Sequence, residues 1–160
     1  MTLFDNAAET NLRACAQMVE AALSRRNLDP AACRLDGRTA SHAWRLRQGS
    51  AEVHVSLTAH GTAHGGEPNT IQVTAAVLRA SDAALASPAL FRRLLELNAN
   101  GLTQAAFGVR DRDIVLTAHR STTGLDTVEV EEMIRRIADY ADHYDDALVA
   151  EFGGTRHSDL

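Results

Sequence analysis

The 160-residue sequence contains no lysine, so all 16 of its basic residues are arginines. A Walker-type phosphate loop requires a lysine, and this absence excludes that class of nucleotide site. Aromatic residues make up only 4% of the chain, which disfavours the stacking platforms that bind single-stranded nucleic acid. The formal net charge of −5 disfavours contact with phosphate backbones and anionic membranes. We therefore expect neither a nucleic-acid nor a membrane partner.

The N-terminal region has no continuous apolar run, and acidic residues precede its first arginine. This pattern is typical neither of a signal peptide nor of a membrane-spanning helix, and it predicts a cytoplasmic protein. The two cysteines, Cys15 and Cys33, do not form a CxxC pair. Cys15 falls on an apolar helical stripe, so we expect a small buried hydrophobic residue and not a disulfide.

Three segments show the periodicity of helices with one buried face. The first runs from Phe4 to Arg26. The second begins at Ser87-Pro88, where serine can cap and proline fits the first turn, and ends near Gly101, for which we expect a left-handed conformation. The third opens with Asp126-Thr-Val-Glu129, a capping-box pattern. The predicted buried stripes of the first and third helices contain Phe4, Ala8, Leu12, Cys15, Val19 and Ala22, and Ile134, Ile137, Ala141, Tyr144 and Leu148.

Between these helices, apolar and polar residues alternate with the two-residue period of strands. The alternation predicts a hairpin of strands 41–47 and 53–59, a third strand at 71–77, and a second hairpin of 105–109 and 114–118. The predicted order is therefore α-β-β-β-α-β-β-α, an α+β fold with a mainly antiparallel sheet. We predict a single domain at 1–150 and a short C-terminal tail at 151–160, which is structureless from Gly153 onward.

Four segments carry a resemblance to a known family. They are Leu90-Phe-Arg-Arg-Leu-Leu-Glu-Leu-Asn-Ala-Asn100, Ala106-Phe-Gly-Val109, Asp113-Ile-Val-Leu116, and the closing helix from Gly124-Leu-Asp126 to Ala141-Asp-His-Tyr-Asp-Asp146. Together they resemble the YbjN family, described as bacterial sensory transduction regulators, which is similar in fold to the cytoplasmic chaperones of type III secretion. The resemblance covers residues 85–150 and extends over 1–80 in element order.

This resemblance implies a secretion-chaperone-like fold and a non-enzymatic, protein-binding module without a cofactor. The module would be a chaperone-like adaptor or a signalling regulator, would form a homodimer, and would hold a protein or peptide by apolar contacts or by strand addition. The resemblance also suggests the middle helix as the self-association surface, and so Phe91, Leu94 and Leu95. These three residues would serve equally well as the core of a monomer. No catalytic residue comes with the family pattern.

Three histidines, His54, His60 and His64, lie within eleven residues and raise the alternative of a metal site. His54 and His60 would lie roughly 20 Å apart on one strand, too far to share an ion unless the strand ends first. His60 and His64, with Glu67, could bind a metal or small ligand from the loop between strands. The pattern favours polar strand-face and loop histidines, so we expect no resident metal.

Enzymatic motifs are absent from the sequence. There is no Gly-x-Ser-x-Gly elbow and no conspicuous cysteine–histidine pair. Asp139 and His143 have the one-turn spacing of an acid–base or metal pair, although a solvated helix face explains the same pattern. A hydrolase or transferase with an unrecognised polar pocket stays open as a third hypothesis.

Overall fold

A computed structural model describes residues 3–36, 40–60 and 68–160, with side chains from residue 9 onward. The order of its main helices and strands is the predicted one, with short additional elements between them. The helices are α1 (Leu3–Arg25), α2 (Pro30–Cys33), α3 (Asp82–Leu85), α4 (Pro88–Asn100) and α5 (Thr127–Phe152). The strands are β1 (Arg34–Leu35), β2 (His42–Gln48), β3 (Ala51–Thr58), β4 (Thr70–Arg79), β5 (Ala106–Arg110), β6 (Asp113–Ser121) and β7 (Thr155–Arg156).

The described strands form a seven-stranded sheet in the order β1-β2-β3-β4-β6-β5, with β7 paired to β4 outside this path. Strand β3 has the alternation that a strand with one polar face requires, since Val53, Val55 and Leu57 are fully buried and their neighbours are half-buried. Strands β5 and β6 form the predicted second hairpin, antiparallel from Ala106↔Thr117 to Arg110↔Asp113.

The chain divides into two compact units. The first unit comprises Met1–Leu46, His54–Val73 and His119–Ile134, and the second comprises Arg47–Val53, Thr74–Ala118 and Arg135–Leu160. The core of the first unit includes the predicted α1 stripe from Leu12 to Ala22, with Cys15 only 1% exposed. Burial raises the pKa of the Cys15 thiol, as expected of a residue that acts by packing. The core of the second unit includes Leu78, Leu90, Ile114, Leu116, Ile137 and Leu148.

The predicted capping box of α5 is confirmed. The backbone N–H of Glu129 donates to Asp126 Oδ1 at 2.8 Å, and the backbone N–H of Asp126 donates to Glu129 Oε2 at 3.2 Å. The start of α4 differs from its prediction. Ser87 occupies the N-cap position and Pro88 follows it, but the Ser87 side chain makes no capping hydrogen bond.

The left-handed conformation expected at Gly101 is wrong, because its φ is −106°. The space around Gly101 is tight instead, so a larger residue there would require its neighbours to shift by a few tenths of an ångström. A Cβ at this position would lie 3.1 Å from Tyr144 Oη and 3.2 Å from the carbonyl oxygen of Leu97, closer than nearly all real Cβ contacts. The left-handed residue of this connection is Gln104, with φ 51°.

The structureless tail predicted from Gly153 onward is also wrong. Thr155 and Arg156 form β7, which pairs antiparallel with Arg79 and Leu78 of β4. Residues His157–Asp159 continue as a 3-10 turn. A two-residue strand has no periodicity of its own, and its partner is distant in the sequence, so local patterning gave no sign of it.

Candidate protein-binding site on helix α4

Helix α4, in the second unit, has one buried and one exposed apolar face. Leu90, Leu94 and Leu97 are at most 8% exposed, as the helical period requires of a face on the core. On an adjoining, outward side of the helix, Phe91 is 36% exposed and Leu95 is 66% exposed. The helix therefore has one set of large apolar side chains in the core and a second set exposed to solvent.

The exposed side chains form a depression that we call the α4 groove. Its volume is about 740 Å³, and it is lined by Ala86, Pro88, Phe91, Leu95 and Ala99. Two charged residues one turn apart, Arg92 and Glu96, also line it, and the Arg92 Nε to Glu96 Oε1 distance is 3.1 Å. A contiguous apolar depression with a polar rim is typical of a protein-interaction surface.

The structure separates the three residues suggested for self-association. Leu94 is 4% exposed and belongs to the core of its own chain. Phe91 and Leu95 lie together in the α4 groove. A self-association surface on this helix would therefore use Phe91 and Leu95. Leu94 instead packs in the core and anchors the helix to its own chain.

A two-point backbone clamp fixes the end of α4. Asn98 Nδ2 donates to the carbonyl oxygen of Phe107 at 3.2 Å, and the backbone N–H of Phe107 donates to Asn98 Oδ1 at 2.7 Å. The Phe107 ring meets the edge of Tyr144, with ring centroids 5.5 Å apart. Sequence reasoning treated Asn98 only as a helix-ending residue. Its amide, placed between Leu97 and Ala99 and followed by a hairpin, was the signal for this clamp.

The second candidate site is centred on His60. Strand β3 ends at Thr58, so His60 lies beyond the strand that carries His54. The His60 ring Nε2 lies 3.1 Å from Thr70 Oγ1, and its backbone N–H donates to Asn69 Oδ1 at 3.3 Å. His64 and Glu67 lie outside the described residues. Metal or ligand binding by His60, His64 and Glu67 therefore stays the alternative hypothesis.

A polar cluster in the first unit, near His60, joins the buried residues Asn69 and Thr122 to the exposed residue Asn11. Thr122 Oγ1 donates to Asn11 Oδ1 at 2.8 Å, and Asn69 Nδ2 donates to the same oxygen at 3.2 Å. The backbone N–H of Thr122 also donates to the carbonyl oxygen of Asn69 at 2.8 Å. These bonds satisfy buried polar atoms and explain the cluster as structural.

The pair suggested on α5 does not form a site. Asp139 Oδ2 accepts from Arg135 Nη1 at 2.8 Å, so its partner is one turn before it and is not His143. His143 instead contacts the edge of Tyr144, with ring centroids 4.7 Å apart. Among the residues that the structure describes, no three His, Cys, Asp or Glu side chains are grouped to hold a metal ion.

None of the helices in the described ranges combines the length and the apolar character that crossing a bilayer requires. In comparisons with known proteins, residues 13–160 match the family described as TY-Chap1, the T3SS (YopN, CesT) and YbjN peptide-binding chaperone 1. The chain belongs to this family. The predicted YbjN resemblance is thereby confirmed, and so is the prediction of a non-enzymatic protein, because the family is one of peptide-binding chaperones.

Three solved structures of low sequence identity share the fold of this TY-Chap1 protein. The ExsC–ExsE complex has a TM-score of 0.59 and 16% identity, covering 92% of this chain and 97% of the other. The HopA1–SchA chaperone–effector complex has a TM-score of 0.57 and 7% identity, with coverages of 86% and 97%. The ExoT–SpcS complex from Pseudomonas aeruginosa has a TM-score of 0.51 and 13% identity, with coverages of 80% and 94%. These likenesses confirm the predicted α+β, secretion-chaperone-like fold. No curated protein matches the sequence.

Proposed function

We propose that this chain is a cytoplasmic peptide-binding adaptor that works as a homodimer and holds one protein partner in extended form. The observation that carries the self-association is the α4 groove, where Leu95 is 66% exposed. The description of the chain's family as peptide-binding chaperones supports the adaptor role. One structure of the same fold is a chaperone–effector complex, which supports a protein as the partner. The identity of that partner would decide whether the chain acts as a secretion chaperone or as a signalling regulator.

We propose the α4 groove as the self-association surface. Its apolar centre, Phe91 and Leu95, would lose contact with water when two copies meet, which favours association by about 25 cal/mol per Å². Arg92 and Glu96 lie one turn apart on the same face. Two copies related by a two-fold axis would set each arginine near the partner's glutamate, so the surface is complementary to itself.

Sedimentation velocity over a wide range of protein concentration tests this surface. We expect the wild-type chain to be a dimer and the Leu95→Glu variant to be a folded monomer, because a buried unpaired carboxylate is costly. The matched control is Val128→Glu, which changes another exposed apolar residue, 59% exposed, on α5. A dimer that survives Leu95→Glu, or that is lost equally in both variants, would contradict the proposal.

Capture from native cell extract tests the adaptor role. The wild-type chain and its Leu95→Glu variant serve as baits, beside an unrelated acidic protein of similar size, and mass spectrometry identifies the captured proteins. We expect one near-stoichiometric partner on the wild-type chain alone, because a dimer presents both binding surfaces together. Equal recovery of every protein on the unrelated bait would count against an adaptor.

A further inference from the structure

The last eight residues, 153–160, form what we call the C-terminal strap, which returns onto the second unit after α5. Gly153 and Gly154 turn the chain, with φ of 73° and 101°, and the Gly153 N–H donates to the carbonyl oxygen of Val149 at 2.8 Å. Beyond this turn, Thr155 pairs with Arg79 and Arg156 pairs with Leu78. The strap therefore occupies a place beside the end of β4 as an added antiparallel strand.

Close backbone contact at Gly154 determines how the strap docks. A Cβ at this position would lie 2.5 Å from the carbonyl oxygen of Arg79 and 2.7 Å from Leu78 Cδ1. Any other residue would displace the chain, quite apart from the strain of its positive φ. The neighbouring Gly153 has open space around its Cβ position. Of the two glycines, Gly154 is therefore the one at which a side chain would clash with β4.

One side chain of the strap reaches an anchor on α5. Arg156 Nη1 lies 2.8 Å from Asp146 Oδ1, and the Asp146 side chain is 78% exposed. The second ion pair of Arg156, at 2.9 Å, is with Asp159 inside the strap itself. The ladder between β7 and β4 has two residue pairs, and Ser158 adds a contact in a small pocket shared with Ala51 and Asp145. Another strand with an arginine at the same position could replace the ladder and the ion pair.

We propose that the strap covers a second peptide site, formed by Leu78 and Arg79 of β4 with Asp146, which takes an extended segment carrying an arginine. Main-chain pairing with a strand accepts many sequences. The Asp146 carboxylate supplies the preference, because a guanidinium matches a carboxylate in charge and geometry. This inference rests on the proposed peptide-binding function and adds a separate site, its ligand class and the segment that competes for it.

The competing segment gives the site a regulatory property. A covalently tethered strand has a high effective concentration at its own site, so a free peptide with the same contacts binds the intact chain weakly. Because β3 and β6 already flank β4, a partner displaces the strap by pairing with Leu78 and Arg79 while further contacts elsewhere on the chain strengthen its binding. Binding at this site is therefore coupled to release of residues 153–160.

The test uses the full chain with the single change Gly154→Val, which places a branched side chain against Leu78 and Arg79 and releases the strap. The probe is a fluorescent peptide of the strap's own sequence, Gly-Gly-Thr-Arg-His-Ser-Asp-Leu, and fluorescence anisotropy measures its binding. We expect Gly154→Val to bind this probe roughly 100-fold more tightly than the wild-type chain does. The control Gly153→Asn should behave as wild type, because asparagine tolerates a positive φ and meets open space.

Trypsin reports release independently, since Arg156 is a cleavage site inside the strap. We expect Gly154→Val to lose residues 157–160 faster than the wild-type chain and Gly153→Asn. Within the Gly154→Val background, Asp146→Asn should weaken probe binding about two- to fivefold, the effect of an exposed ion pair. A probe with alanine in place of its arginine should lose the same factor.

Three results would overturn the second site: a strap as trypsin-resistant in Gly154→Val as in wild type, a released strap without probe binding, or equal binding by wild type. If circular dichroism shows that Gly154→Val is unfolded, Thr155→Pro replaces it, because proline disfavours pairing of β7 and leaves β4 unchanged. Dimerisation through Leu95 involves no residue of the strap. Sedimentation therefore tests the proposed self-association separately from this site, and capture from cell extract tests the proposed adaptor role without the probe.

Discussion

Helices α4 and α5 present different outer faces. The exposed part of α5 is mainly charged, with Arg135 paired to Asp139 at 2.8 Å and Asp146 paired to Arg156 at 2.8 Å. The exposed part of α4 carries Leu95 within an apolar groove. Because both helices have well-buried inner faces, the difference is not one of stability. Apart from the contact of Asp146 with the strap, the outer face of α5 is suited to water, whereas that of α4 is suited to another protein.

The two helices also differ at their starts. Helix α5 has both hydrogen bonds of a capping box, whereas the Ser87 side chain before α4 makes none. Helix α4 is held at its other end, by the Asn98 clamp to Phe107. Local sequence thus stabilises the first turn of α5, while tertiary contacts position α4.

Two adjacent leucines of α4, the buried Leu94 and the exposed Leu95, should contribute very differently to the free energy of unfolding. We expect Leu94→Ala to lower the free energy of unfolding by about 2–5 kcal/mol, because it leaves a cavity in the core. Leu95→Ala should change it by no more than about 0.5 kcal/mol in the monomer, as exposed positions do. Urea denaturation at low protein concentration measures both. Equal effects would show that the exposed face of α4 is part of the folded core.

The next prediction compares the two helix starts. We expect Asp126→Ala to cost about 0.5–2 kcal/mol, the usual effect of losing an N-cap side chain. Ser87→Ala should cost less, because no capping hydrogen bond is lost there. Thermal unfolding monitored by circular dichroism compares the two variants with wild type. A larger loss of stability in Ser87→Ala than in Asp126→Ala would show that the Ser87 side chain, and not that of Asp126, is the more important cap.

Sequence alone predicted the element order, the α1 stripe and the capping box of α5, since each depends on residues a few positions apart. The family resemblance suggested Phe91, Leu94 and Leu95 together for self-association, with core packing as the alternative for all three. Their separation depends on which side of α4 faces the core. The packing of Gly101 against Tyr144 and the pairing of β7 with β4 were missed, because each joins residues that are far apart in the sequence. The Asn98 clamp spans nine residues and was missed because it belongs to no periodic pattern.

Asp145 is a buried carboxyl of α5, and its ionisation should make the stability of the protein depend on pH. Burial raises the pKa of this carboxyl, with nearby Asp146 and Asp142 adding to the effect and the Asp146 N–H and Arg156 opposing it. A raised folded-state pKa favours the folded protein at low pH, and that contribution is lost as pH rises through the folded pKa. We expect Asp145→Asn to be more stable than wild type at neutral pH, with the gain shrinking towards acid pH. Urea denaturation across this pH range measures the gain.

Asp113 of β6 is the control of opposite sign. The hydrogen bonds from Arg79 lower the pKa of Asp113, so its contribution to stability is present at neutral pH and lost as pH falls through the folded pKa. Asp113→Asn should therefore destabilise most at neutral pH. Parallel pH profiles for the two variants would contradict the assignment of Asp145 as the carboxyl destabilised by burial.

The smallest expected effect concerns the ion pairs on the two outer faces, Arg92–Glu96 on α4 and Arg135–Asp139 on α5, both one helical turn apart. Each pair should contribute about 0.2–0.5 kcal/mol or less in the monomer. Glu96→Gln and Asp139→Asn should therefore have equal effects when the protein is dilute. If two copies meet through the α4 groove, only Glu96→Gln should become more costly as protein concentration rises, because its carboxylate then contacts the second copy. Unfolding measured at low and high concentration detects that difference, and identical behaviour of the two variants would give α4 the same solvent-facing role as α5.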